Sequence, residues 1–404
     1  MTRVLAALAI LVTLAGPAGA QPLRSTGTQS IRHIYRTAPS LVGLGGLAAN
    51  GAYQNAADAI LEQAIRNLPL FPGASSAYTY RWNDERGEIE RVDDSVSPFF
   101  LTERAQTLGE RLINVGVTFG RYDVGCASGC KLGTDPAPVS VCCGSKIRYQ
   151  APTDLDYTVS TFNITYGLLD DLDVNIAIPI VTLDMDLDVS RQDTPRSALQ
   201  RATVAAHSAN LSDMLVRLKY KFFETTGDFG NAMGAAGLRV RIPTGNPNEG
   251  LGTGFGEIGP YFAFQTSVLN GWLDSYWDAG VDAGIGNTRW SSGHYSWALD
   301  IHAPRGDEWW TRVALAWSVL GRSEFTNLRA ASSVSGRHVT PSGIVSQPYL
   351  CFDPDRHDYA DTTLGLRIQA WRSLVFSVGV FKSLNDQGVR ATGWSPVGSV
   401  EATF

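Results

Sequence analysis

Residues 393–404 read GWSPVGSVEATF. No helix period runs through them. In an extended chain, Phe404, Ala402, Val400 and Gly398 share one face, and Thr403, Glu401, Ser399 and Val397 share the other. The chain therefore ends in a strand closed by an aromatic residue.

The opposite end is an export signal. In residues 1–20, Arg3 supplies the positive charge, Val4 to Leu14 the apolar stretch, and Ala18-Gly19-Ala20 the cleavage site. No Cys follows that site, which argues against a lipid anchor. No other run reaches the roughly 18 apolar residues that a membrane-crossing helix needs. Charged residues are 18% of the chain, below the roughly 25% of soluble proteins. Aromatics at 10% and 41 glycines suit a wall with a lipid-facing band and tight turns. A net charge of −6 without a basic stripe excludes nucleic acid as a partner.

From Arg111 onward twelve strand candidates follow: 111–124, 155–168, 172–188, 212–224, 232–243, 256–269, 273–286, 294–303, 309–322, 359–370, 373–383 and 391–404. In 214–222, Met214, Val216, Leu218, Tyr220 and Phe222 alternate with Leu215, Arg217, Lys219 and Lys221. Period two with one apolar face is the signature of a half-buried strand. Connection length alternates as well. Segments 125–154, 189–211, 244–255, 287–293, 323–358 and 384–390 are mostly long. Asp170-Asp171, Thr225–Asn231, Asn270–Trp272, Arg305–Glu308 and Trp371-Arg372 are short. Transmembrane barrels have long external loops and short periplasmic turns, whereas a soluble sandwich has no reason to sort loops by parity. The fold class is thus all-β: a transmembrane antiparallel β-barrel of about 12 strands over 108–404, in the bacterial outer membrane. It becomes 14 strands if the hairpin Ala77–Trp82/Glu88–Val92 joins the wall.

Residues 21–107 differ. Ala52 to Leu68 reads as an amphipathic helix with Ile60, Leu61, Ala64, Ile65 and Leu68 on one face. Pro69 ends it. The segment is expected to fold into or under the lumen as a plug.

Several phrases resemble one family: Leu155–Leu187 with Thr165-Tyr166-Gly167-Leu168; Ser212-Asp213 before Val216-Arg217-Leu218-Lys219-Tyr220; Arg241-Ile242-Pro243-Thr244-Gly245 with Leu251-Gly252-Thr253-Gly254; and Leu384-Asn385-Asp386-Gln387-Gly388. They are similar to the outer-membrane proteins labelled MetA-pathway of phenol degradation, kin of the long-chain fatty-acid channels. The resemblance covers about residues 100–404. It implies passive uptake of small hydrophobic or aromatic compounds, with no cofactor. It also implies a hatch-like part for residues 21–107, although no hatch motif matches residue by residue. The expected partners are outer-membrane lipid and lipopolysaccharide, a small-molecule solute, and the barrel-assembly machinery reading the strand that ends at Phe404. A non-transporting structural or adhesive barrel and a barrel enzyme are the alternatives. No motif ties the six histidines to a nucleophile.

The polar strand face is the expected lumen. Arg217, Lys219, Lys221, Arg239 and Arg241 form a basic wall, and Glu257, Asp274, Asp278 and Asp282 an acidic one. Arg367 is a further lumen candidate. The walls either set a transverse field that orients solutes or form an interstrand salt-bridge ladder. Cys126, Cys130, Cys142 and Cys143 are expected to staple the first external loop by disulfides whose pairing the sequence leaves open. The Cys130-to-Cys142 spacing is eligible for zinc, but adjacent cysteines are poor tetrahedral ligands and no His is nearby. Cys351 is the odd one. Asp184, Asp186 and Asp188 share the parity of Ile178 and Ile180, which requires either a bulge or a strand that has left the membrane. Gly250–Gly254 is glycine-rich with no helix after it, and reads as a mobile external turn rather than a phosphate loop.

Overall fold

The alternation in the sequence becomes a closed wall. The computed structural model describes residues 30–45, 51–69, 80–83, 88–91, 102–126, 138–141, 145–150, 153–192, 198–227, 230–269, 272–286, 290–302, 313–325, 337–340, 343–346, 357–371, 374–385 and 387–404. Two helices come first, α1 (Ile31–Thr37) and α2 (Gly51–Asn67). Among the described residues, a hairpin of β1 (Tyr80–Asn83) and β2 (Glu88–Arg91) pairs only with itself. The wall therefore has twelve strands and not fourteen.

In chain order the remaining strands are β3 (Ile113–Cys126), β4 (Pro138–Val141), β5 (Ser145–Gln150), β6 (Thr153–Leu169), β7 (Leu172–Gln192), β8 (Gln200–Leu211), β9 (Met214–Gly227), β10 (Gly230–Ile242), β11 (Gly256–Val268), β12 (Leu273–Ile285), β13 (Ser292–His302), β14 (Val313–Glu324), β15 (Arg337–Thr340), β16 (Gly343–Ser346), β17 (Asp358–Trp371), β18 (Leu374–Ser383), β19 (Val389–Ala391) and β20 (Trp394–Thr403). The wall runs β3-β6-β7-β9-β10-β11-β12-β13-β14-β17-β18-β20 and returns to β3. The closing seam pairs Val397 with Gly120 through to Thr403 with Asn114. Ile113 N donates to Phe404 O at 2.9 Å, and Phe404 N to Ile113 O at 2.8 Å. The terminal strand thus closes the barrel.

The outward face carries an apolar band that includes Ile164, Ile176, Leu218, Phe262, Trp277, Leu315, Leu366 and Val378, all exposed. A continuous apolar girdle is costly in water at roughly 25 cal/mol per Å². In lipid it is required, and only helices or closed barrels satisfy every backbone group there. No helix among the described residues is long and apolar enough to cross a membrane. The strands are the crossing elements, and the wall sits in the bacterial outer membrane.

The long connections need correction. Segment 189–211, expected as a loop, is mostly strand: β7 runs on to Gln192, and β8 returns along it from Arg191 to Ile180. Segment 125–154 contains β4 and β5, and 323–358 contains β15 and β16. The β7 pairing with β6 shows no register shift between Asp173 and Leu187. No bulge therefore intervenes at Asp184, Asp186 and Asp188. The strand projects past the band, and these three carboxylates stay outward and exposed.

The described part of Cys126 is its backbone at the end of β3, opposite Val389. Cys130, Cys142, Cys143 and Cys351, the export signal, and the turn at Arg305 lie outside the described residues, so the disulfide expectation does too.

Candidate functional site

The lumen is filled at two levels. At the long-loop end the inward faces of β3, β6 and β7 are apolar, with Tyr122, Val124, Leu155, Tyr157, Leu183, Met185 and Leu187 buried. Ile31, Ile34 and Tyr35 of α1 pack there with Ile60, Leu61, Ala64 and Ile65 of α2. The helical stripe expected from period 3.6 is therefore inside the barrel mouth, in contact with the wall. Arg36 crosses to Asp58 and joins the two helices. The Asp58 carboxylate holds its guanidinium above the ordinary arginine range.

Loop 243–255 folds inward over this cap. Asp213 accepts from Gly245 N at 3.1 Å, from Thr253 N at 2.8 Å and from Thr253 Oγ1 at 2.7 Å. Thr244 Oγ1 donates to Ser212 O at 2.6 Å. Gly245 and Gly252 approach so closely that a Cβ on either would overlap the other's backbone. Leu251 is fully buried in the core. The expectation of a mobile external turn is corrected: the glycines permit close backbone approach, and the loop is part of the cap.

The C-terminal end of α2 is latched to the wall. Arg66 Nε lies 3.0 Å from Glu257 Oε1, with the side chains 2% and 7% exposed. Arg66 Nη1 is 3.7 Å from Glu324, and Nη2 reaches Ser292 Oγ at 3.1 Å. Burial pulls the Arg66 guanidinium down, but Glu257 and Glu324 outweigh it, and the group stays above its ordinary value. One turn earlier, Gln63 donates to Tyr359 Oη at 2.8 Å and accepts from Val389 N at 2.8 Å.

At the short-turn end residues 102–112 line the inside of the wall. Glu103 pairs with Arg217, and its N–H donates to Asp278 at 3.0 Å. Lys219 Nζ donates to Gln106 O at 2.8 Å and lies 3.5 Å from Asp173. Leu108 N donates to Asp173 at 3.3 Å. Gly167 and the Gly109 carbonyl touch so closely that a Cβ at 167 has no room.

Between these levels lies a chamber of 210 Å³. Of the sequence candidates, Arg239, Arg241, Glu257, Asp278 and Asp282 line it. Arg239 Nε bonds Asp282 at 2.6 Å, and Arg241 Nε lies 3.1 Å from Glu257. Arg217 and Lys219 are engaged with the 102–112 segment instead. Lys221 lies nearer the rim, with Asp171 at 3.2 Å and Glu224 at 2.6 Å. Asp274 faces inward near the short-turn end, 2.8 Å from His302 Nε2. Arg367 Nε donates to Ser377 Oγ at 3.2 Å.

Arg66, Glu103, Arg322, Tyr359 and Arg390 also line the chamber and were not singled out from sequence. Strand parity held the signal for Arg322 and Glu324, which share the inward face of β14 with Ser318 and Leu320. Nothing local marks Glu103, whose role comes from a partner over a hundred residues away.

The family whose description reads "Putative MetA-pathway of phenol degradation" matches residues 131–320, in agreement with the resemblance seen in the sequence. No curated protein matches the chain. Among solved structures, an outer membrane channel from Pseudomonas putida F1 is 12% identical with a TM-score of 0.45, over 74% of this chain and 98% of that one. A FadL homologue from Pseudomonas aeruginosa is 11% identical with a TM-score of 0.29, over 73% and 90%. The CymD monoaromatic hydrocarbon channel is 6% identical with a TM-score of 0.30, over 73% and 88%. These values are too low to transfer anything from those proteins to this chain.

Proposed function

We propose that this outer-membrane barrel, akin over residues 131–320 to the phenol-degradation family, is a passive channel for small hydrophobic or aromatic compounds. Its own N-terminal segment holds it closed. The observation that carries this reading is the chamber between two barriers made by that segment: the α1–α2 cap latched through Arg66, and residues 102–112 held by Arg217 and Lys219. A purely structural or adhesive barrel has no use for a chamber with its own latches. Passage requires the cap and the lower segment to shift, since ion pairs across the lumen must part before a solute can cross.

Two partners belong to the same proposal. The strand ending at Phe404 is the segment that the barrel-assembly machinery reads. The exposed carboxylates Asp184, Asp186 and Asp188 beyond the apolar band meet the lipopolysaccharide layer. No step of this reading needs a cofactor or a catalytic group.

Proteoliposome swelling tests the function. Vesicles carrying the protein should swell faster in isosmotic phenol or benzyl alcohol than in an equally small sugar alcohol. Equal rates for both solutes would refute the preference, and rates no faster than empty vesicles would refute the channel.

A further inference from the structure

Leu384-Asn385-Asp386-Gln387-Gly388 joins β18 to β19 beside the cap. Its polar groups bind it to the start of β17. Leu384 N donates to Ala360 O at 2.8 Å. Asn385 Oδ1 accepts from Ala360 N at 3.0 Å, and its Nδ2 donates to Asp358 O. One side-chain amide thus continues the ladder as a backbone unit would, which needs a donor and an acceptor on the same group. Gln387 Oε1 accepts from Asp358 N at 2.6 Å. Gly388 has a φ of 66°, and a Cβ there would stand 2.8 Å from Tyr359 Oη and 3.3 Å from Gln63 Nε2. Glycine meets both demands.

Arg390 fixes the shape of this loop. Its side chain is buried, and the guanidinium donates to Ser383 Oγ at 2.8 Å, to Asn385 Oδ1 at 2.6 Å, to Ala360 O at 2.9 Å and to Asp361. A planar fork of donors holds several acceptors in one geometry. The residue placed by this arrangement is Val389, which is fully buried. Both of its main-chain polar groups go to α2. Its N–H donates to Gln63 Oε1 at 2.8 Å, and its carbonyl accepts from Asn67 Nδ2 at 2.5 Å. Gln63 and Asn67 are one helical turn apart and share a face. A buried main-chain group left without a partner costs about as much as a lost hydrogen bond. The wall thus carries a main-chain site whose partners belong to the cap.

We propose that loop 384–391 is the seat of the cap, and that Arg390 is a positioning residue acting through Val389 on α2. The inference rests on the channel reading, in which α2 closes the long-loop end. Arg66 supplies a charged latch on β11 and β14. Val389 supplies a neutral one beside the closing seam, where β19 pairs with β3. Hydrogen bonds fix direction as well as distance, so the seat sets the orientation in which α2 presents Arg66 to Glu257 and Glu324. Distorting the loop therefore loosens the cap without removing either partner of those ion pairs.

The test is amide hydrogen exchange of the full-length protein in detergent, read by mass spectrometry. Arg390→Gln should speed exchange in α2 by about tenfold, although the Arg390 guanidinium bonds residues of β17, β18 and the loop rather than of α2. Gln63→Ala together with Asn67→Ala should do the same from the helix side. All three substitutions combined should exceed the larger effect by less than about twofold, because both routes remove one contact. Exchange in β12 should stay at the wild-type rate throughout. Unchanged α2 exchange in Arg390→Gln, effects that multiply in the combined variant, or an equal acceleration in β12 would each overturn the proposal. If Arg390→Gln yields no folded barrel, Gly388→Ala decides, since it keeps Arg390 and sets a Cβ against Tyr359 and Gln63. Faster α2 exchange in it supports the seat, and wild-type exchange overturns it. Exchange is read without transport, so a seat that behaves as expected in a barrel that passes no phenol into liposomes would fail the channel reading alone.

Discussion

Arg66 and Glu257 meet at 3.0 Å, joining the last turn of α2 to β11 inside the barrel. The sequence separation is 191 residues. This pair therefore tells the N-terminal segment where in the closed wall to stop. Breaking one side of a buried pair costs about 3–5 kcal/mol, because the remaining charge is stranded. Arg66→Ala should accordingly raise the open probability in planar bilayers and lower the melting temperature. Unaltered gating would show that the latch does not hold the cap.

Glu103 plays the matching part at the other end through Arg217. Glu103→Gln removes the charge and keeps the shape. Residues 102–112 should then detach more readily, and limited proteolysis should cut there faster. An unchanged cleavage rate would mean that the backbone bonds to Asp173 and Lys219 suffice.

Asp213 holds loop 243–255 by accepting three hydrogen bonds. Hydrogen bonds to a charged acceptor contribute about 1.5–3 kcal/mol each, net of the bonds to water they replace. Asp213→Ala should free the loop, which would appear as faster amide exchange at Gly245 and Thr253. The wall should be unaffected, since Ser212 and Asp213 lie between β8 and β9 rather than within them.

Removing Phe404 should lower the amount of folded barrel in the outer membrane. Its N–H and C=O both bond Ile113, so the deletion loses the last rung of the closing seam as well as the terminal aromatic. The fraction of heat-modifiable protein measures this, and a normal fraction would remove Phe404 from the assembly signal.

The wall was legible because its physics is local. Alternation in 214–222 sets which face meets lipid, and short turns such as Asp170-Asp171 set the neighbours. The helix over Ala52–Leu68 was equally legible, and the structure places it at Gly51–Asn67. Its location was not, because an apolar stripe reports burial and not the surface that buries it. The glycines at 245 and 252 looked like an open turn because a close approach between backbones leaves no trace in one chain segment alone. The charged residues show the same limit. Parity placed Arg217 and Arg239 in one basic wall, yet Arg239 pairs with Asp282 across the sheet and Arg217 with Glu103 of the N-terminal segment. The transverse field imagined from two bare walls is therefore largely cancelled by partners brought from elsewhere.

Single-channel conductance of the chain lacking residues 21–107 tests the central claim, that the N-terminal segment closes the lumen. The deletion removes α1, α2, the Arg66 latch and the Glu103 contact of the lower level while leaving all twelve wall strands. Conductance should rise several-fold over wild type, with longer open times. A correctly assembled deletion barrel whose conductance equals that of wild type would contradict the account.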